Sequence, residues 1–226
     1  MNSLHYQVIP LVTRDVLRKL MAADAVSVFR LVGGTALALQ RGHRRSSDIE
    51  LYTDAKFGTV NFNAVAEFLR REFPYFGTGA NVSPDVGKSW FAGNTIDDCC
   101  KIDFFYAETF LRPLVNVDAM RLATMEEIAA MKLDSLIRKP QKQDFWDLHA
   151  LLEEFDLEKM IGLHKKKYHY DHKRSKLLDA LKRISVCDVD FDPVNLGGKS
   201  SKTRIWELVK LDIVEAIRAL EQPTDN

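Results

Sequence analysis

No apolar run in this chain of 226 residues approaches the roughly 20 residues that a helix needs to cross a bilayer. The first residues lack the apolar stretch and small-residue cleavage site of a secretory signal. Cysteine is scarce: Cys99, Cys100 and Cys187 are the three present. An odd count with two neighbours in sequence suits neither a disulfide framework nor the spacing of metal ligands. A reducing, cytoplasmic setting with no membrane partner is therefore expected. Net charge is missing as well, since 32 Lys and Arg balance 32 Asp and Glu. That excludes attraction of the whole molecule to nucleic acid and leaves only a local patch to supply it.

What remains is an ordinary soluble composition, 46% hydrophobic and 28% charged, long enough for one large domain or two small ones. Hydrophobic spacing predicts a helix over about Thr13 to Ala23 and a strand over Val26 to Val32 that stops at Gly33-Gly34. A short helix over Thr35 to Arg41, a strand over Asp48 to Thr53 and a helix over Phe62 to Glu72 follow. Further strands are expected at Tyr75 to Ala80, Lys88 to Phe91 and Cys99 to Tyr106, with Gly93-Asn94 as a turn signal. Val115 to Leu122 adds a short strand.

Beyond that point the pattern is helical. Thr124 with Glu127 fits a capping box for a helix reaching about Ile137, which Pro140 breaks. Asp144 opens the next helix, and others are expected at Leu157 to Lys167, Arg174 to Ile184 and Thr203 to Leu220. Asp192-Pro193 and Gly197-Gly198 mark a loop before the last. The fold class is thus α+β: a mixed sheet flanked by helices over residues 1–122, followed by a helical domain over 123–226.

The chemistry concentrates between Leu31 and Leu51. Gly33 and Gly34 follow a strand and precede a helix. Without side chains they leave room for phosphate, and the helix start at Thr35 offers free backbone N–H groups. Asp48 and Glu50 lie one residue apart on a strand, so their carboxylates point to one side while Ile49 and Leu51 point into the core. Two such carboxylates repel unless a cation sits between them, and Mg2+ takes carboxylate and phosphate oxygens. Asp103, in Lys101-Ile102-Asp103-Phe104-Phe105, has two readings: a third metal ligand, or a solvent-facing residue with Lys101 beside it.

A second cluster lies on the helices. Lys132 shares an apolar face with Ile128 and Leu136, so its ammonium needs a specific partner. A triphosphate would serve; so would an ion pair with Asp144 stapling two helices across Pro140. Asp144 and Asp147 share a face at i and i+3, and the residues alone do not select between them as the active-site carboxylate. The densest basic stretch is Lys165-Lys166-Lys167-Tyr168-His169-Tyr170 with His172, Lys173, Arg174 and Lys176. It reads either as a surface that tracks RNA, with tyrosines stacking on bases, or as a solvated face. His164, His169 and His172 lack a further ligand to make a metal site.

The run Gly33-Gly34-Thr35 … Gly42-His43-Arg44 … Ser47-Asp48-Ile49-Glu50 resembles the AbiEii/AbiGii-type toxin family of nucleotidyltransferases, in the DNA-polymerase-beta-like superfamily. The later blocks Glu127 to Asp134 and Lys142 to Leu148 resemble that family's lysine helix and the helix after it. The likeness covers about Val28 to Leu152. It implies transfer of a nucleoside monophosphate from an NTP to an acceptor hydroxyl with Mg2+, a tRNA 3′ end being one acceptor used in the family, within a type IV toxin–antitoxin or phage-defence system with a cognate antitoxin.

Carried over residue by residue, the resemblance makes Asp48, Glu50, Lys132, Asp144 and Asp147 catalytic. Gly33, Gly34, Thr35, Arg44, Ser47 and Lys132 become nucleotide-binding, and Asp48 and Glu50 metal-binding, with Asp103 the candidate third ligand from the reading of its own strand. Glu50 departs from the commoner aspartate, and its extra methylene shifts the ion. The rival reading is a catalytically silent nucleotide- or protein-binding module on the same fold.

Overall fold

The computed structural model describes residues 3–79, 86–170, 172–191 and 199–221, with side chains of the last helix from Ile205 onward. Two compact units divide the chain: Met1–Gly42 with Ser46–Thr124, and His43–Arg45 with Met125–Asn226.

In the first unit, α1 (Leu11–Ala22) starts directly after Pro10. The expected start at Thr13 falls inside it, because that side chain is buried and its hydroxyl donates to the Ser47 carbonyl at 3.0 Å. A 3-10 turn over Asp24–Val26 and a turn at Ser27 and Val28 replace the start of the expected first strand, and β1 is only Arg30–Leu31. The chain then forms α2 (Gly33–Arg41), which stops at Gly42, whose φ of 71° is the left-handed conformation that glycine adopts at helix ends. Next come β2 (Ile49–Thr53) and α3 (Phe62–Glu72), the latter capped by Asn61, whose side chain accepts from Ala64 N–H at 3.1 Å.

The remaining strands are β3 (Tyr75–Thr78), β4 (Gly87–Gly93), β5 (Cys99–Tyr106), β6 (Val115–Val117) and β7 (Met120–Leu122). The single strand expected over Val115 to Leu122 is a hairpin, turned by Asp118 and Ala119 at φ 51° and 61°. Ala80 and the loop signals at 192–193 and 197–198 lie outside the described residues.

The seven strands form one mixed sheet in the order β3-β4-β5-β2-β1-β7-β6. β2 lies parallel to β5 and antiparallel to β1. One face carries the core: Ile49 and Leu51 on β2 register with Ile102 and Phe104 on β5, and all four are fully buried. Phe29 packs edge-on against Phe104, with ring centroids 5.1 Å apart. The other face of the same strands presents Glu50, Lys101 and Asp103. Period-two alternation therefore divides core from site.

The second unit consists of α4 (Met125–Arg138), α5 (Lys142–Leu152), α6 (Leu157–Lys167), α7 (Arg174–Lys182) and α8 (Lys199–Glu221). Pro140 falls between α4 and α5. The core gathers Leu133, Leu136, Phe145, Leu148, Met160, Leu181 and Ile213, each fully buried. Among the described residues no helix is long and apolar enough to cross a membrane.

Candidate active site

In the first unit the glycine pair and the carboxylate strand meet directly. α2 begins at Gly33, so the amide of Gly34 belongs to its first turn and has no partner within the helix. It donates to Glu50 Oε2 at 3.3 Å, and a carboxylate at a helix N-terminus also gains from the helix dipole. Gly33 has a φ of +65°, and a Cβ built there would overlap the Glu50 carboxylate. The room left by the missing side chain at Gly33 is filled by the Glu50 carboxylate.

Thr35 is buried, and its hydroxyl bonds the Asp48 carbonyl and the Ser46 hydroxyl. It thus ties the start of α2 to the segment entering β2. Asp48 itself is exposed, with Oδ1 accepting from the Ser47 hydroxyl at 3.1 Å.

Asp103 is not on a solvent face. It is 8% exposed and stands beside Glu50 in the β2–β5 register. Lys101 is nonetheless its partner, with Nζ 2.6 Å from Oδ2, as the second reading of this residue expected. Asp103 Oδ1 is buried with no hydrogen-bond partner, as is Oγ of Ser89, its register neighbour on β4. Sequence reading missed Ser89, since a serine in a strand carries no signal of its own.

In the second unit Lys132, Asp144 and Asp147 come together with the loop residues His43 and Arg44. Lys132 Nζ lies 3.0 Å from Asp144 Oδ1 and 2.7 Å from Asp147 Oδ2. Arg44 grips Asp147 with two bonds, Nε to Oδ1 at 2.6 Å and Nη2 to Oδ2 at 2.8 Å, and His43 Nε2 reaches the same Oδ1 at 2.7 Å. This fork is the geometry in which arginine holds carboxylates most firmly. Burial pushes the Asp147 carboxyl up, but Arg44 and Lys132 overcome it and hold it well below the ordinary value. The ion pair between Lys132 and Asp144, one of the two alternatives for this lysine, is present, and Asp147 widens it to the 43–45 loop.

Other polar groups of this unit are also committed. Lys167, within the basic run, is buried against Glu127 at 2.6 Å, while Lys165 and Lys166 are exposed. His172 pairs with His164, Nδ1 to Nδ1 at 3.0 Å. A cleft of about 560 Å³ is lined by His149, Leu152, Glu153, Asp212, Glu215 and Leu220, and none of the motif residues borders it.

The first-unit residues fit a hard divalent cation. They offer carboxylate oxygens, one of them the unpartnered Oδ1 of Asp103. Among the described residues no three His, Cys, Asp or Glu side chains form a ready metal cage. Mg2+ does not require one, because it binds through one or two carboxylates and completes its shell with water and substrate phosphate. The thiols offer no soft alternative: burial pushes Cys100 up to about 12.

An uncharacterized protein of Aquifex aeolicus (strain VF5) is 28% identical over 165 residues, covering 69% of this chain and 73% of its own. The solved structure of a candidate nucleotidyltransferase from H. pylori superposes with a TM-score of 0.57 at 17% identity, covering 94% of this chain and 96% of that one. JHP933 from Helicobacter pylori gives 0.56 at 18% identity, covering 97% and 100%. Identities this low show the fold alone, and that fold is the nucleotidyltransferase one. Residues 15–219 match the family described as nucleotidyl transferase AbiEii toxin, type IV TA system, and the chain accordingly belongs to the AbiEii family of nucleotidyltransferase toxins.

Proposed function

We propose that this protein transfers a nucleoside monophosphate from an NTP to an acceptor hydroxyl, with Mg2+ held by Asp48, Glu50 and Asp103. The observation that carries the reading is the meeting of Glu50 with Gly34 N–H, beside Asp103 in the β2–β5 register. It joins the glycine pair, the motif strand and the third carboxylate on one sheet face.

In the reaction the acceptor oxygen attacks the α-phosphorus, the bond to the bridging oxygen breaks and pyrophosphate leaves; the hydroxyl proton passes to solvent. A bound Mg2+ would neutralise charge on the phosphoryl oxygens. Asp48, exposed at the head of β2, is placed to meet solvent and substrate. Thr35 holds the Asp48 backbone, and Gly33 and Gly34 set the Glu50 carboxylate. In the second unit Lys132, Asp144, Asp147 and Arg44 hold the loop at residues 43–45, and in the first Ser47 orients the Asp48 carboxylate through its hydroxyl.

An RNA acceptor, with tRNA as the first to test, agrees with exposed Lys165, Lys166 and Lys173 around Tyr170, which is 86% exposed. Lys167 is removed from that surface by Glu127. The type IV family supports a cognate antitoxin as partner.

The test is incubation with Mg2+, α-labelled NTPs and total tRNA. Label transfer by wild type, lost in Asp48→Ala and weakened in Lys165→Glu/Lys166→Glu, supports the reading. Equal label with wild type and Asp48→Ala removes it. The second reading is a catalytically silent binding module on the same fold. That module would hold its partner equally well with Asp48→Ala.

A further inference from the structure

We propose that Lys101 is a tethered counter-ion of the site, competing with the divalent cation for Asp103 and so setting the affinity for it. The inference rests on the metal reading above. Lys101 and Asp103 are two apart on β5 and therefore share a face, and the ammonium lies 2.6 Å from Asp103 Oδ2. The other Asp103 oxygen is buried and unpartnered. The contact thus leaves the carboxylate half-satisfied, in a place where an unmet charge is costly.

The flanks of Asp103 explain why a cation is wanted there. Glu50 is its register neighbour on one side and Ser89 on the other, and Ser89 Oγ is also buried and unpartnered. Asp103 and Glu50 are like charges on adjacent strands, which repel without a positive charge nearby. Lys101 supplies one such charge from within the chain.

It is a removable one. Its side chain is 36% exposed, against 11% for that of Asp103, and a lysine ammonium on a flexible stem can return to water at little cost. A dication arriving at Asp103 gains a carboxylate only by displacing that ammonium, and it meets the ammonium's repulsion until it does. Arg44 in the second unit differs: its forked grip on Asp147 is buried, with a side chain 3% exposed.

The test is Mn2+ titration of the full chain, reading free Mn2+ by electron paramagnetic resonance, with wild type, Lys101→Met, Lys101→Arg and Asp48→Ala. Lys101→Met keeps the apolar stem and removes the charge. It is expected to lower the Mn2+ Kd about two- to tenfold, in line with the strength of a partly exposed ion pair. Lys101→Arg, which keeps the charge, should stay at or above the wild-type Kd. Should Lys101→Met not fold, Lys101→Gln reads the same competition. An unchanged or raised Kd in the charge-free variant, with wild-type binding still dependent on Asp48, overturns this inference and leaves the metal reading standing. Wild-type binding that is absent, or indifferent to Asp48→Ala, removes the metal reading and this inference with it.

Discussion

In the second unit Asp147 is wholly buried and meets Arg44, Lys132 and His43 at once, while Glu127 meets Lys167. In the first unit Asp48 is exposed beside a serine hydroxyl, and Asp103 has one lysine and one oxygen with no partner. Both regions carry clustered carboxylates at motif positions, but among the described residues Asp147 meets several cationic side chains and Asp103 one. Carboxylates neutralised from within the chain hold structure together. Under the proposed function, the first-unit carboxylates are where an external cation and a triphosphate act.

The largest effect that would break this contrast is expected from Asp147→Ala. It leaves Arg44 and Lys132 buried without their shared partner, and removing one member of such a buried cluster costs about 3–5 kcal/mol. Urea denaturation followed by far-UV circular dichroism should show the loss. A change under about 1 kcal/mol would mean that the cluster is not structural.

Gly33→Ala comes next. The alanine must adopt the positive φ that costs about 1–2 kcal/mol, and its Cβ displaces Glu50. Label transfer should fall about tenfold to a hundredfold, the range for losing a positioned charged group. Wild-type transfer would show that Glu50 need not sit there.

Acid sharpens the same comparison. The Asp147 carboxyl is held below its ordinary value of 3.8. A lowered value means that the unfolded chain binds the proton first, so the cluster's contribution is complete above about pH 4 and fades as pH falls through the lowered value. Helical signal at 222 nm should therefore drop in strong acid, and Asp147→Asn should remove that part of the pH dependence. The smallest effect belongs to an exposed pair in the same unit, Arg174 with Glu158, whose side chains are 43% and 62% exposed. Arg174→Ala should cost less than about 1 kcal/mol in the same denaturation experiment.

Much of this was legible in the sequence because it depends on local periodicity. Strand alternation put Glu50 on one side of β2 and Ile49 and Leu51 on the other, whereas Asp48 lies just before the strand begins. Helix spacing put Lys132 on a buried face and set Asp144 beside Asp147. What stayed hidden depends on distant pairings. Arg44 meets a carboxylate 103 residues away, and Lys167 leaves its basic run for Glu127 on another helix. That Asp103 stands beside Glu50 turned on the β2–β5 register, which no local pattern encodes. Val26 to Val32 looked like a full strand because its residues are apolar, yet Val26 and Phe29 are buried from a turn. Burial alone does not separate the two.

The most direct test of the central claim is binding of a non-hydrolysable NTP analogue, measured by calorimetry with and without Mg2+, in wild type and Asp48→Ala. The account predicts Mg2+-dependent binding by wild type that falls at least about tenfold in Asp48→Ala, as expected when a metal-binding carboxylate is lost. Binding that is the same in both proteins, or indifferent to Mg2+, would contradict it.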